Sequence, residues 1–439
     1  MSSNATSGDH RRVKSAAFLF ACGCAGAAPH WLDSARSLWP AISLALMLGG
    51  YGLRSVMRGE LARGSSESVP AMDPAKLPSL DVVVAARDEE AVVPRLVERL
   101  TSLRYPSGQL TTWVIDDGSL DQTSELLDDL ATQHPELNVI HRQRNAGGGK
   151  SGALNTALDR LKGEWLMVLD ADAQLQDDLL ERLVSYALEG GWSAVQLRKA
   201  VIDADRNWLT RSQAMEMALD AVIQSGRLAN GGVAELRGNG QLIKRSVLES
   251  SGGFNEDTVT DDLDLSFRLL TNGALVGLLW DPPVQEEAVL CLPALLKQRQ
   301  RWAEGGLQRF FDYWSVLTSA KLSFRKRWDL TAFFLLQYAL PVVSFADLST
   351  ALITRTLPVY WPLSVVAFSV SGLAYWRGCR SGSEGPEIPS ASLANLLVAI
   401  AYLGHWFVVI PWVTLRMSLL PKRLVWAKTS HGQDHQLQA

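Results

Sequence analysis

The most apolar stretches of this chain lie near its two ends. Two apolar runs come early and three come late, and they cover residues 16–28, 38–53, 330–350, 358–376 and 391–415. The three late runs have the length that a helix needs to cross a bilayer, about 20 residues. We therefore expect transmembrane helices between residues 328 and 420, followed by a polar tail over residues 421–439.

The two early runs are weaker signals. The first is short and glycine-rich and follows Arg11, Arg12 and Lys14, as a signal peptide would, but no clean small-residue cleavage site comes after it. The second is apolar again. We interpret residues 1–64 as one or two N-terminal membrane segments, at least one of them a weak span or an interfacial helix.

Basic residues flank the region between the apolar ends. They are Arg54, Arg58 and Arg63 on one side and Arg325, Lys326 and Arg327 on the other. Positive charge beside a span is typical of its cytoplasmic side, so we expect an integral membrane protein of a bacterial inner or internal membrane, with its middle region facing the cytosol. Three late spans would put the basic tail on the opposite side, and we expect one of them to be interfacial, or broken at Pro341 or Pro411.

Residues 77–320 contain no span-length apolar run and show alternating strand and helix patterns. The pattern predicts strands at residues 81–86, 111–115, 137–141 and 165–169, with helices between them. Strands and helices that alternate at this spacing are typical of a parallel α/β sheet. In such a sheet, ligands bind beyond the carboxyl ends of the strands.

Composition narrows the functional classes. The chain has 439 residues, 47% of them apolar and 20% charged, which is enough for two or three folded units. Its net charge of −4 gives no basic field to attract nucleic acid, so we expect no nucleic-acid partner. The four cysteines show neither metal-ligand spacing nor a disulfide framework, in keeping with a reducing, cytosolic compartment.

Acidic residues follow two of the predicted strands. Asp116 and Asp117 come after the second strand, and Asp170 and Asp172 after the fourth. Two carboxylates that alternate across a strand end suit a hard cation together with its phosphate ligands. For each of these short motifs the alternative is a turn or a pair of solvated loop acids.

A glycine-rich loop and an acidic helix start add to these clusters. The loop at residues 145–155 carries Lys150 where it can meet a diphosphate, although its glycine spacing is not that of a P-loop; a flexible connection is the alternative. Asp261 and Asp262 open an amphipathic helix, where acids also serve as caps.

A third segment, Gln298, Arg301 and Trp302, lies just before the late apolar runs. It places cations and an indole beside apolar residues. A basic helix on the membrane surface is its alternative interpretation.

In this order, the motifs resemble those of the membrane-bound family 2 glycosyltransferases: a strand-end D-D-G, a lysine-bearing loop, D-x-D, T-(E/D)-D and Q-x-x-R-W. Each motif is weak alone, and the five in sequence are specific. The resemblance covers residues 81–302. It implies an α/β GT-A catalytic domain, Rossmann-like and built for a nucleotide sugar, at residues 77–320. It also implies a UDP-sugar donor, a divalent cation (Mg or Mn) and inversion at the anomeric carbon.

The resemblance also implies a role for each motif residue. Asp117, with Asp116, would contact the uridine, Lys150 the diphosphate, Asp170 the donor and the metal, and Asp172 the metal. Asp262 would be the catalytic base, with Asp261 as the other candidate because it replaces the more usual Glu. Gln298, Arg301 and Trp302 would hold donor and acceptor, and Asn239 and Gln241 belong to a strand that looks like the family's acceptor side.

The acceptor is the remaining question. The cations and aromatic residues of segment 298–314, and the size of the chain, are similar to those of bacterial monoglucosyldiacylglycerol synthases. That resemblance implies UDP-glucose, a membrane lipid acceptor, 1,2-diacylglycerol, and a β-monoglycosyl product. We expect residues 302–314 to lie at the membrane surface and to present the lipid headgroup to Asp262.

Two alternatives stay open. A processive polysaccharide synthase, making a β-glucan or a hyaluronan-like chain, needs a wet channel, yet the predicted spans hold almost no ionisable residue beyond Asp347 and His405. A non-catalytic membrane scaffold or a transporter subunit would be expected to have lost one of the acidic clusters. All of them are present.

Overall fold

The computed structural model describes residues 4–32, 38–66, 72–381 and 383–421. The chain opens with two helices, α1 (Asn4–Trp31) and α2 (Trp39–Ser66). Residues 422–439, which make up almost all of the expected polar tail, lie outside the described part of the chain.

Within the described residues, seven strands form one sheet in the order β3-β2-β1-β4-β6-β5-β7. The strands are β1 (Leu80–Ala86), β2 (Leu110–Asp116), β3 (Leu137–His141), β4 (Trp165–Leu169), β5 (Ala194–Ile202), β6 (Gln241–Lys244) and β7 (Val276–Glu287). The α/β class is confirmed, but the expectation of a purely parallel sheet is wrong, because β6 runs antiparallel to both β4 and β5. With only four residues, β6 shows no periodicity from which its direction could be inferred.

Helices cover both faces of the sheet. Those of the middle region are α3 (Val93–Ser102), α4 (Thr123–Gln133), α5 (Gly149–Leu158), α6 (Leu179–Glu189), α7 (Trp208–Ala229), α8 (Arg245–Ser250), α9 (Asp261–Thr271), α10 (Leu292–Asp312) and α11 (Trp314–Thr318). Val82 and Val84 of β1 face one core layer with Leu96 of α3, and Val83 faces the other with Leu154 of α5. Because strand side chains alternate between faces, continuous apolar strands of this kind supply both layers.

The register aligns the carboxyl ends of the first four strands. Ala86 pairs with Asp116, Asp116 pairs with His141, and Val84 pairs with Leu169. The residues that follow β1, β2 and β4 therefore emerge at one edge of the sheet. This is the edge at which the sequence predicts the ligand site.

The C-terminal region is helical. It contains α12 (Phe324–Phe334), a π-helical turn (Leu335–Ala339), α13 (Leu340–Thr354), α14 (Trp361–Arg380), α15 (Leu393–Leu403) and α16 (Trp406–Leu419). The N-terminal helices join this group: α1 packs against α13 and α16, and α2 packs against α7 and α14.

In the described residues, two helical segments are long and apolar enough to cross a membrane. They are Phe324–Thr354, with 31 residues and a mean hydropathy of 1.4, and Leu393–Leu419, with 27 residues and a mean hydropathy of 2.0. The expected span at residues 358–376 does form a helix, α14, but does not meet this test, and neither do α1 and α2. Two of the three late spans thus remain as candidates, and the N-terminal span is not confirmed.

Neither Pro341 nor Pro411 breaks its helix, although a break at one of them was expected. The helix continues through Pro341, the second residue after the π-turn, and Pro411 lies inside α16. A π-turn accommodates the backbone carbonyl that a proline leaves without its usual partner. The interruption in the last segment lies instead at Gly404 and His405, between α15 and α16.

Candidate active site

A cavity of about 710 Å³ lies at the carboxyl edge of the sheet. Its charged wall collects side chains from β5, from the residues after β4 and before β6, and from helices α5, α9 and α10. They include Lys150, Asp170, Asp172, Lys199, Arg237, Asp261, Asp262, Gln298, Arg301 and Trp302. Four of the five predicted motifs, far apart in sequence, therefore meet at one site.

The glycine-rich loop places Lys150 against the first acid after β4. Gly148 has φ of 72°, a left-handed conformation that glycine adopts without a steric penalty, and α5 starts directly after it. Lys150, in the first turn of α5, donates from Nζ to Oδ1 of Asp170. Burial would raise the pKa of Asp170, but the charges of Lys150, Lys199 and Arg301 outweigh it and lower that pKa. Asp170 is thus held as a carboxylate.

The backbone of the loop after β4 is hydrogen-bonded to Asn239, one of the two residues expected on the acceptor side. The Asp170 backbone N–H donates to Oδ1 of Asn239 at 3.1 Å. Asn239 and Gln241 are both fully buried and are not among the residues that line the cavity, and an acceptor-side role for them stays a prediction. The adjacent Arg237 and Gly238 line it instead. Arg237, Gly238 and Asn239 lie in the loop before β6, which starts at Gln241, so strand alternation does not decide which of them faces the cavity.

Asp261 and Asp262 occupy the first turn of α9, after Thr260. Burial and the neighbouring Asp261 carboxylate raise the pKa of Asp262 to about 6, against the backbone hydrogen bond at Leu263 and the charge of Lys150. Oδ2 of Asp261 is buried and has no hydrogen-bond partner within the described residues. A carboxylate with a pKa near neutrality suits a general base, because it is mostly ionised at pH 7 yet can hold a proton.

Gln298, Arg301 and Trp302 project from α10. Burial lowers the pKa of the Arg301 guanidinium, while Asp170, Asp262 and Asp261 act in the opposite direction. Arg299 fixes the Trp302 ring, since its guanidinium carbon lies 3.9 Å from the ring centroid. Nη2 of Arg299 in turn donates to Glu216 of α7.

Close packing links α10 to the catalytic acids. A Cβ atom on Gly305 would lie 2.1 Å from Oγ1 of Thr260, the residue before Asp261. A Cβ on Gly306 would lie 1.9 Å from the hydroxyl of Tyr338 in the π-turn. Glycine at both positions therefore lets α10 lie directly against the start of α9 and against the π-turn.

The interpretation of residues 302–314 as a membrane-surface rim is wrong. In α10, residues 303–311 are all buried, and they pack with α1, α9 and α16. The cations that resemble a surface helix are paired internally: Arg309 Nη1 lies 2.9 Å from Glu235 Oε1. Only Trp314, beyond the end of α10, is half exposed.

Asp116 is the last residue of β2 and Asp117 follows it, at the expected strand end, but neither residue lines the cavity. Asp116 accepts hydrogen bonds from the backbone N–H and hydroxyl of Ser119, at 2.9 and 2.6 Å, and from the hydroxyl of Ser124 at 2.6 Å. Asp117 is buried and pairs with Arg142 and Arg87. Burial would raise the pKa of Asp116, but hydrogen bonds from His141 and the two serines lower it. A uridine contact for this pair stays a prediction.

Sequence reasoning missed Lys199 and Arg237. Nζ of Lys199, on β5, lies 2.7 Å from Oε2 of Glu286 and 5.7 Å from the Trp302 ring centroid. Arg237 pairs with Asp220 at 2.9 Å. Lys199 follows Arg198 inside β5, an otherwise mostly apolar strand, and this basic pair was the available signal for it.

A second part of the cavity wall is mostly apolar. It is formed by α2, the π-turn, α13, α14 and α16, through Leu48, Leu336, Leu340, Val366, Val370 and Phe407. One cavity thus joins a charged wall to the helices that flank the candidate spans.

A divalent cation fits the charged wall. Within the described residues no group of three His, Cys, Asp or Glu side chains is placed to hold a metal. Mg²⁺ commonly binds one or two carboxylates and takes its other ligands from phosphates and water. Asp170 and Asp172, both lining the cavity, supply that number.

Comparison with known proteins agrees with this geometry. Residues 78–305 match the family described as Glycosyltransferase like family 2. A β-monoglucosyldiacylglycerol synthase of Synechocystis sp. is 42% identical over 432 residues, 96% of this chain and 88% of the relative. One of Nostoc sp. is 42% identical over 359 residues, 81% of this chain and 77% of the relative.

The fold has a counterpart among solved structures. The mannosyltransferase PcManGT from Pyrobaculum calidifontis, solved in complex with GDP-Man and Mn²⁺, superposes with a TM-score of 0.53 at 22% identity. The match covers 83% of this chain and 99% of that chain, and it shows a shared GT-A-like fold. On the family match and the two 42% identical relatives, this chain belongs to glycosyltransferase family 2.

Proposed function

We propose that this protein transfers glucose from UDP-glucose to 1,2-diacylglycerol, with inversion, to give a β-monoglucosyl diacylglycerol. The observation that carries the proposal is the two-sided cavity, whose charged wall suits a nucleotide diphosphate and whose apolar wall suits a lipid. Relatives of 42% identity named for this activity support the choice of donor sugar and acceptor.

The acceptor hydroxyl needs a base to become a nucleophile. Asp262, with its pKa raised to about 6, takes the proton while the hydroxyl oxygen forms a bond to the anomeric carbon. The bond from that carbon to the diphosphate breaks in the same displacement, and UDP leaves. One displacement inverts the anomeric configuration and requires one carboxylate base.

The departing diphosphate needs positive charge beside it. Lys150 and Arg301 line the cavity and supply that charge, and Lys199 adds to it. Asp170 and Asp172 would hold Mg or Mn, which supplies further stabilisation of the diphosphate charge. Lys150 would exchange its pairing with Asp170 for a donor phosphate oxygen.

The same proposal places the protein in a membrane with the catalytic domain on the cytosolic side. The 324–354 candidate span starts with three basic residues, Arg325, Lys326 and Arg327, which favour the cytosolic face.

The test uses the full-length protein in detergent with Mg or Mn. We expect UDP release from UDP-glucose to depend on added diacylglycerol, and thin-layer chromatography of radiolabelled product to show one monoglycosyl lipid. Label in high-molecular-weight material, with the lipid spot empty, would instead require a processive synthase. Absence of UDP release with every acceptor would overturn the assignment as an enzyme.

A further inference from the structure

The apolar wall of the cavity forms a distinct compartment, which we call the acyl arm. It is defined by Leu48 of α2, Leu336 of the π-turn, Leu340 of α13, Val366 and Val370 of α14 and Phe407 of α16. Asp262 and Trp302 line the same cavity, so a single molecule can contact both compartments. The predicted surface rim on α10 cannot hold an acyl chain, because its residues are buried.

The contact between α2 and α14 closes one side of the arm. A Cβ atom on Gly49 would lie 2.4 Å from Cγ1 of Val366, and one on Gly52 would lie 2.9 Å from Cγ1 of Val370. Small residues permit this close approach of two helices in an apolar environment. The acyl arm is therefore bounded on this side by two closely packed helices.

The π-turn at Leu335–Ala339 shapes the opposite wall. Such turns are rare and often occur at functional sites, because the extra residue widens the helix and turns side chains out of the regular pattern. Leu336 and Gln337 of this turn line the cavity. Gln337 is thus a polar amide in an apolar wall, suited to the ester oxygens of a glycerolipid.

The outer faces of the same helices are apolar and exposed. Leu46 and Leu53 of α2 and Val365 of α14 are exposed by 72%, 46% and 53%. Exposed apolar residues on several adjacent helices are typical of a surface covered by lipid. The arm therefore lies among helices that border the bilayer, where a lipid acceptor resides.

We propose that the acyl arm holds the first part of the acyl chains of the acceptor lipid, with the free glycerol hydroxyl at Asp262. This inference rests on the proposed function and adds to it the place where the lipid binds. The whole cavity measures about 710 Å³ and must also admit the sugar nucleotide, so the distal ends of the chains extend into the bilayer.

The first test fills the arm. Ala367 of α14 lines the cavity, whereas Val365, two residues earlier, does not and is 53% exposed. We expect Ala367→Phe to raise the KM for diacylglycerol roughly tenfold or more by steric exclusion, and Val365→Phe to change it less than about twofold. UDP affinity should stay at the wild-type value in both variants, which also verifies folding. Ala367→Leu should give an intermediate KM.

The second test does not require sugar transfer. A diacylglycerol with a diazirine near the carboxyl end of one chain is photo-crosslinked to the wild-type protein, and the labelled peptides are located by mass spectrometry. We expect labels on Leu336–Leu340 and on residues 366–370, lost in Ala367→Phe and retained in Val365→Phe. Labels confined to outer-face residues, or unchanged in Ala367→Phe, would overturn the acyl arm. Labels in the arm without any glucolipid product would overturn the proposed reaction alone.

Discussion

Two clusters of acidic and basic side chains lie in the interior of this protein, and they differ in what surrounds them. The cavity cluster consists of Lys150, Asp170, Asp261, Asp262 and Arg301. The closed cluster consists of Arg227, Glu235, Arg309 and Asp329, with side chains exposed by 4% or less. In the closed cluster, Arg227 Nη2 lies 2.9 Å from Asp329 Oδ2, and none of its members lines the cavity.

Glu235 of the closed cluster and Asp262 of the cavity cluster have pKa values that are shifted in opposite directions. Burial would raise the pKa of Glu235, but Arg309, Arg227 and Arg237 lower it to about 2. Burial and the Asp261 charge raise the pKa of Asp262 to about 6. A carboxylate among cations stays ionised and serves structure, whereas one beside another carboxylate is poised to take a proton. The charges around a buried acid therefore indicate better than its burial alone whether it can act as a catalytic base.

The largest expected effect is the loss of transfer in Asp262→Asn. We expect the rate to fall by roughly 10²–10⁴-fold, the range of general base catalysis, with UDP affinity within a few-fold of wild type. Thermal stability at neutral pH should rise. The sign follows because a carboxyl whose folded pKa is raised destabilises the folded state when it ionises above that pKa. Initial rates and thermal unfolding in detergent measure the two effects.

The matched control is Asp257→Asn, an exposed acid in the loop before α9. We expect neither activity nor stability to change. If Asp262→Asn stayed active while Asp261→Asn lost transfer completely, the base would be Asp261.

Glu235→Ala should disrupt the closed cluster. Unlike Asp262→Asn, it should lower the stability of the protein. It leaves Arg309 and Arg227 buried without this partner, and such a loss costs about 3–5 kcal/mol of unfolding free energy. Activity and UDP affinity should fall together with the folded fraction. A variant with normal thermal unfolding but no transfer would place Glu235 in the chemistry rather than in the structure.

Asp172→Asn tests the cation within the cavity cluster. We expect the Mn²⁺ concentration for half-maximal activity to rise by at least about 10–100-fold, because loss of a direct ligand should cost no less affinity than loss of an outer-shell partner, with little change in thermal stability. Rates measured across a Mn²⁺ titration after treatment with EDTA report this effect. Full wild-type activity after EDTA treatment would contradict a role for a divalent cation.

The sequence predicts the donor half of the domain closely. The apolar runs at 81–86 and 165–169 correspond to β1 and β4 within one residue, because a continuous apolar run and the acids that end it are local features. The same holds for Lys150, Asp170 and Asp262, whose motifs are each complete within a few residues.

The second half of the domain, from β5 to α10, depends on ion pairs and hydrogen bonds between residues that are distant in sequence. The pattern of α10 predicts a surface helix, but its cations are neutralised from α7 and the following loop, through Glu216 and Glu235. The position of β6 between β4 and β5 likewise decides that Asn239 is buried under Asp170. No local pattern carries either fact, and tertiary packing overrides the helix pattern.

The smallest expected effect is a shift in the pH profile of kcat/KM. It concerns the Asp261 carboxylate beside Asp262, the like-charged neighbour that distinguishes the cavity cluster from the closed cluster. Asp262 must be ionised to act as the base, so kcat/KM should fall on the acid side, with a midpoint near the pKa of about 6. Removing the neighbouring charge in Asp261→Asn should lower the pKa of Asp262 and move this acid limb to lower pH. The direction of this shift does not depend on the maximal rate of the variant. Profiles measured at saturating UDP-glucose and cation test this, with Asp257→Asn as the control whose limb stays in place. A limb that moves to higher pH, or stays fixed in Asp261→Asn, would show that the Asp261 charge does not set the proton affinity of the base.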